Sequence, residues 1–252
     1  MMIFMNHFNS KLLCLEKKNY PNLESSILRN LIAIKAEFEA EGTTIDELAI
    51  LSQFCRNNKI DLTLKIGGAI AQRDIHEAFQ LGAENILAPM IESSFALEYY
   101  MRIYDIVFDS FSRLNHNPTL LINVESKLAY ENLDEIIHFN EKSQRKITGI
   151  VIGRSDLSSS IEEKDVNSDK VFQIALDILK KGKNKNLDVT VGGKITIESF
   201  NFLKELSGYG LDAFETRKCT FNLEENMTKA NVKKIVEFGL GFELEGLKYK
   251  KI

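Results

Sequence analysis

Leu120-Leu121-Ile122-Asn123-Val124-Glu125 is a short β-rich run, and Thr148-Gly149-Ile150-Val151-Ile152-Gly153 is another. Between them Ile136 and Ile137 mark a helical segment that Asn132 opens or extends. A strand, a helix and a second strand in that order form one unit of a parallel sheet. Five further runs of the same kind flank this pair: Leu31-Glu37, Ile60-Ile66, Asn85-Pro89, Leu187-Gly192 and Asp212-Arg217. Their spacing suits a strand, a turn and a helix each time. Val171, Ile174, Ala175, Ile178 and Leu179 recur at helical period with Lys180 and Lys181 left to solvent, and Thr44 with Glu47 forms a capping box before Ile45.

The expectation is an α/β barrel, one domain over residues 1–252. Barrels of this kind commonly use about 200 to 250 residues on a single core. Only three prolines occur, and no linker, repeat or low-complexity segment divides the chain. Seven strands are legible. Met2 to Phe4 offers a short first strand; otherwise the barrel is incomplete or closed by something irregular. Asn222 to Phe238 carries Met227, Ala230, Val232, Ile235 and Val236, enough for a final helix that closes this barrel or packs onto a neighbour.

Composition narrows the function classes. Apolar residues make up 44% and charged residues 27%, values of an ordinary globular domain. With 32 basic and 36 acidic residues the formal net charge is -4, and no basic track exists for nucleic acid. Apolar runs such as Ile147 to Gly153 fall far short of the roughly 20 residues of a spanning helix, so no membrane partner and a cytoplasmic location are expected. Cys14, Cys55 and Cys219 follow no metal or disulfide spacing and are read as reduced.

Strands covered on both faces should be almost wholly apolar, yet these are not. Lys65, Asn123, Glu125, Thr190, Glu215 and Arg217 share the parity opposite to the aliphatic set. If the aliphatic residues face the helices, these six face the barrel axis or its mouth. Charges there must be paired, bound to a cation or open to a cleft. Most sit at C-terminal strand ends, where barrels of this class place active sites. A structural ion-pair network inside the barrel accounts for the same pattern.

From Ile34 to Phe221 the sequence resembles the HpcH/HpaI aldolase/citrate lyase family. The resemblance rests on Ile34-Lys35-Ala36-Glu37-Phe38-Glu39-Ala40-Glu41-Gly42, Leu64-Lys65-Ile66-Gly67-Gly68, Ala88-Pro89-Met90-Ile91-Glu92, Ile122-Asn123-Val124-Glu125 and Gly149 to Ser158, which contains Gly153-Arg154-Ser155-Asp156-Leu157. It implies a TIM-type (β/α)8 barrel and a divalent-metal-dependent carbon-carbon lyase acting on a pyruvate-like or 2-oxo acid through an enolate.

By the same resemblance Glu125 and Asp156 hold Mg²⁺ or Mn²⁺, as two hard oxygen ligands. The alternatives are a Glu125 paired with Lys65 or Arg217 and an Asp156 that caps a helix. Backbone N–H groups from Gly153 through Ser155 to Asp156 face the substrate carboxylate. Lys65 stands where many members have an arginine supporting the enolate oxygen; a Schiff-base role is the distant second, and simple neutralisation of Glu125 is the plain one. Where the known aldolases carry an acidic residue followed by histidine, this chain reads Glu37-Phe38. Proton transfer then falls to Glu37 or Glu39, with Lys35 as the neighbour that would set it, because His7, His76, His116 and His138 all read as helix or loop surface residues.

Arg217 binds an anionic group of the substrate or pairs with Glu215, and Gly192-Gly193 permits a close approach to backbone. The resemblance further implies a homo-oligomer with exchanged C-terminal helices. Two other functions remain open: an acyl-CoA lyase like citrate lyase β chains, and a barrel retained as a binding or assembly protein.

Overall fold

A computed structural model describes residues 29–111, 116–224 and 226–249. All seven legible runs are strands: β1 (Leu31–Glu37), β2 (Asp61–Lys65), β3 (Asn85–Ala88), β4 (Thr119–Val124), β5 (Ile147–Gly153), β6 (Asp188–Gly192) and β7 (Ala213–Glu215). They pair in chain order, each parallel to the next. Closure comes from β8 (Cys219–Asn222), which runs antiparallel to both β7 and β1. The result is a closed eight-stranded α/β barrel of the TIM type.

The eighth strand therefore follows the seventh, whereas Met2 to Phe4 and the rest of residues 1–28 lie outside the described residues. It escapes a reading by units because no helix precedes it. A three-residue turn separates β7 from β8, held by Thr216 N donating to Cys219 O at 2.9 Å.

The helices are α1 (Ile45–Asn58), α2 (Gln72–Leu81), α3 (Ser94–Phe111), α4 (Lys127–Glu131), α5 (Leu133–Lys142), α6 (Arg154–Ser160), α7 (Asp169–Lys183), α8 (Phe200–Ser207) and α9 (Lys229–Tyr249). The expected capping box at Thr44 is present, with Thr44 N donating to Glu47 Oε2 at 2.8 Å. Asn132 joins α4 to α5, and its side-chain amide donates to Glu92 O at 2.8 Å. On α7 the buried stripe is wider than the periodic set, since Phe172 and Leu176 are buried as well.

Strand parity sorts the core into two shells. Leu62, Leu64, Ile122 and Val124 face outward and are fully buried under the helices. Many of the inner positions are polar, interspersed with Ala33, Leu121 and Val151. Thr63, Asn85, Thr119, Thr190 and Thr220 line a cavity of about 590 Å³ at the N-terminal end of the barrel. Thr190 therefore faces that end and not the mouth with the charged residues.

The C-terminal helix closes its own barrel. Phe238 of α9 packs edge-on against Phe221 with ring centroids 6.2 Å apart, and Phe242 lies 6.1 Å from Phe54 of α1. Gly239 passes so close to the turn after β7 that a Cβ there would stand 2.6 Å from Thr216 Oγ1.

Among the described residues no helix is long and apolar enough to cross a membrane. Cys55 and Cys219 are buried free thiols; Cys14 lies outside the described residues. Burial pushes both thiols up, Cys55 to about 12, so the nucleophilic thiolate is scarce at either. Alkylation at pH 8 followed by peptide mapping should leave both unlabelled in the native protein and label both after unfolding.

Candidate active site

At the C-terminal end of the barrel a cavity of about 720 Å³ is walled by strand ends and roofed by α9. Around it stand Glu37, Lys65, Glu125, Gly153, Ser155, Asp156 and Arg217, contributed by β1, β2, β5 and the segments after β4, β5 and β7. Residues up to 180 apart in sequence, the seven candidates from the sequence line one space.

Glu125 follows the last residue of β4 and is 2% exposed. Its Oε2 accepts from Asn123 Nδ2 at 2.7 Å and lies 3.7 Å from Lys65 Nζ, while Oε1 accepts from Met90 N at 3.3 Å. Of its two expected partners, it takes Lys65. The adjacent position on β5 must be glycine, because a Cβ on Gly153 would fall 2.7 Å from Glu125 Cβ and 2.9 Å from its Oε2. Burial pushes the Glu125 carboxyl above its ordinary value; Lys65 opposes that shift and the charge of Asp156 reinforces it.

Asp156 occupies the third position of α6, and Gly153 holds the N-cap place. The helix-capping alternative for Asp156 is therefore set aside. Its carboxylate turns to the cavity and is near enough to Glu125 to act on its ionisation.

The second charged pair lies beside the first. Lys35 on β1 pairs with Glu215 on β7, reaching across β8, and both are buried. Glu37 stands 4.0 Å from Lys35 Nζ, a weaker association. The absence of a side chain at Gly192 makes room for Glu215, whose Cγ and Oε1 lie 2.8 Å from where a Cβ would be.

Arg217 does not pair with Glu215. It lies in the turn past β7, with its side chain 55% exposed, and bonds Glu41 and Glu243 at 3.3 Å each; Lys218 also bonds Glu41. These contacts tie α9 to the segment after β1. Of the two candidate bases, Glu37 lines the cavity, whereas Glu39 lies against Gly67 outside it. The described histidines lie elsewhere: His76 meets Phe111 edge-on, His116 bonds Ala83 O at 2.9 Å, and His138 is exposed on α5. His7 lies outside the described residues.

The donor set fits a hard divalent cation with positions left open. Glu125 and Asp156 supply carboxylate oxygens at the same mouth, and Asn123 Oδ1 is a buried acceptor that no described residue bonds. Its orientation is fixed, since Asn123 Nδ2 is committed to Glu125. A buried acceptor without a partner costs about 1–3 kcal/mol, which a hydrogen-bond donor in the cavity would offset. Among the described residues no group of three or more His, Cys, Asp or Glu is placed to hold a metal ion.

Sequence reading missed Arg154, which is wholly buried, and the roof made by Val236, Leu240 and Glu243 of α9. Burial brings the Arg154 guanidinium down to about 10, still charged at neutral pH. Hydropathy gives no sign of such a residue. Its only trace is a large cation at the junction of β5 and the Ser155-Asp156 turn.

Comparison with known proteins agrees with the barrel fold. Residues 54–198 match the model of the HpcH/HpaI aldolase/citrate lyase family. No curated protein matches the chain. Among solved structures, an HpcH/HpaI aldolase from Desulfitobacterium hafniense DCB-2 superposes with a TM-score of 0.62 at 13% identity, over 75% of this chain and 78% of that one. An HpcH/HpaI aldolase/citrate lyase family protein from Burkholderia cenocepacia J2315 gives 0.60 at 13% identity, covering 87% and 86%. The citrate synthase SbnG gives 0.59 at 17% identity, covering 89% of each chain. At these identities the structural likeness is one of fold; the family match, which spans more than half of the sequence, shows that the chain belongs to the HpcH/HpaI aldolase/citrate lyase family.

Proposed function

We propose that the chain is a divalent-cation-dependent carbon-carbon lyase of the aldolase type, acting on pyruvate or a related 2-oxo acid through an enolate. The observation that carries the reading is the pairing of Glu125 and Asp156 at the open end of the barrel, close enough to interact, with Lys65 3.7 Å from Glu125. Glu125 and Asp156 would hold Mg²⁺ or Mn²⁺, which supplies Lewis acidity toward the substrate carbonyl and carboxylate.

The remaining roles belong to the chain's own groups. Lys65 places positive charge beside Glu125, where negative charge develops on the enolate oxygen. Gly153 and Ser155 line the wall nearest Asp156 and receive the substrate carboxylate. Glu37 takes and returns the proton at the reacting carbon, being the cavity-facing acid of the two on its segment. Arg217, bonded to two carboxylates at the rim, orders that edge of the cavity and meets an anionic substrate only by giving up one of them.

Pyruvate incubated with the protein and Mg²⁺ or Mn²⁺ in D₂O, followed by NMR, tests the reading. Methyl protons should exchange, and chelation should stop it. Exchange indifferent to chelator, or none at all, overturns the proposal.

A further inference from the structure

Arg154 has an exposure of 0% and no carboxylate partner among the described residues. Its guanidinium instead spends all five N–H groups on neutral oxygens. Nε donates to Gly192 O at 3.1 Å, Nη2 to Gly193 O at 2.8 Å and Ser199 Oγ at 3.2 Å, and Nη1 to Asn167 Oδ1 at 2.8 Å and Val166 O at 3.4 Å. The ring of Phe202 covers its face, with the centroid 4.5 Å from Cζ. A charge buried this deeply is retained only where every hydrogen bond is made.

Two of the five bonds anchor the guanidinium to Val166 and Asn167, and the other three go to the last residue of β6 and the segment that follows it. There Gly193 and Lys194 both have left-handed backbones, at φ 82 and φ 50. Such a conformation persists for a non-glycine residue only when its surroundings over-determine it. The two carbonyls just before Lys194 are the ones Arg154 holds. The segment also lies directly on the turn that carries Asp156, since a Cβ on Gly193 would be 2.5 Å from Ser155 N and 2.8 Å from Arg154 N. Both walls face the same cavity.

We propose that Arg154 is a positioning residue: its fork clamps the segment after β6 onto the Ser155–Asp156 turn and thereby sets where the Asp156 carboxylate stands in the cavity. The inference rests on the reading of Asp156 as a cation ligand. The clamp depends on geometry as well as charge. A lysine carries its donors on one atom and cannot reach Gly192 and Gly193 on one side and Asn167 on the other.

Arg154→Met and Arg154→Lys test this with two readouts, both taken well below the melting temperature. In hydrogen exchange, peptides covering residues 155–157 and 192–199 should exchange about tenfold faster in both variants, with the rest of the barrel unchanged. Mn²⁺ affinity, measured by electron paramagnetic resonance, should fall roughly 10- to 100-fold in both, the range for partners that orient a metal ligand. Asn167→Ala, which removes one anchoring bond, should move both readouts a few-fold in the same direction if the stronger variants fail to fold.

Unchanged exchange overturns the clamp. Faster local exchange with Mn²⁺ affinity within twofold of wild type makes Arg154 merely structural and overturns the positioning role, as does full recovery in Arg154→Lys. A wild-type chain that takes up no Mn²⁺ overturns the cation reading itself, and the exchange arm then decides the clamp alone.

Discussion

Glu125→Gln and Asp156→Asn should each lower the cation-dependent exchange of pyruvate methyl protons about 1,000-fold, a loss of roughly 4 kcal/mol in transition-state stabilisation. Both substitutions keep the shape of the side chain. In Glu125→Gln the space that Gly153 leaves open stays filled, the bond from Met90 N still has an acceptor, and a flip of the Asn123 amide presents its unpartnered Oδ1 to the new NH₂ in place of the bond from Nδ2. Folding should therefore not suffer. Burial raises the Glu125 carboxyl above its ordinary value, so its ionised form opposes folding once the pH exceeds the unfolded value of 4.5. Removing that charge should leave the melting temperature at neutral pH unchanged or higher, against the lost attraction to Lys65. Activity and stability moving in opposite directions would mark a carboxylate kept for its ligand. Exchange within tenfold of wild type in both variants would remove the cation assignment.

Much of the barrel was legible because its outer shell obeys simple rules. Leu62, Leu64, Ile122 and Val124 alternate with inner polar residues, and that period of two is set by the pleat. β8 was not legible for a physical reason. It is short, antiparallel and separated from β7 only by a turn, so the pattern of strand followed by helix passes over it. The final helix was visible by composition. Its partner was not, because the contacts of Phe238 and Phe242 with Phe221 and Phe54 are long-range in sequence.

The site divides in the same way. Parity identified Lys65, Asn123, Glu125 and Glu215 as inward, and all four line the cavity. Pairing was harder, since parity says which face a charge takes and nothing about which neighbour it meets. Arg217 and Glu215 share a parity but part company because Arg217 lies beyond the strand end, in the turn, where it reaches Glu41 and Glu243. Lys35, two strands away on β1 with β8 between, is the group that reaches Glu215. The glycines are the exception in which close approach leaves a trace: Gly153 and Gly192 occupy equivalent places on adjacent strands, and each makes room for a carboxylate from the next strand over.

Lys35→Met should destabilise the protein by about 3–5 kcal/mol, the range for removing one partner of a buried ion pair, because Glu215 is left charged and enclosed. Glu215→Gln should cost a comparable amount by stranding Lys35. The double variant Lys35→Met/Glu215→Gln leaves no buried charge at this point, and it should lie at least 2 kcal/mol above the sum of the single losses. Denaturant unfolding at neutral pH measures all three. The pH dependence gives a second check with a definite sign. Although burial works against the charged form of Lys35, Glu215 prevails and its pKa is raised above 10.5. The pair's contribution is thus fully present below pH 10.5 and is lost as pH rises through the higher folded value. Wild type should lose stability in that alkaline window, and the double variant should lose correspondingly less. Strict additivity of the two single variants would mean that Lys35 and Glu215 do not interact across β8, and the floor of the cavity would then need a different electrostatic account.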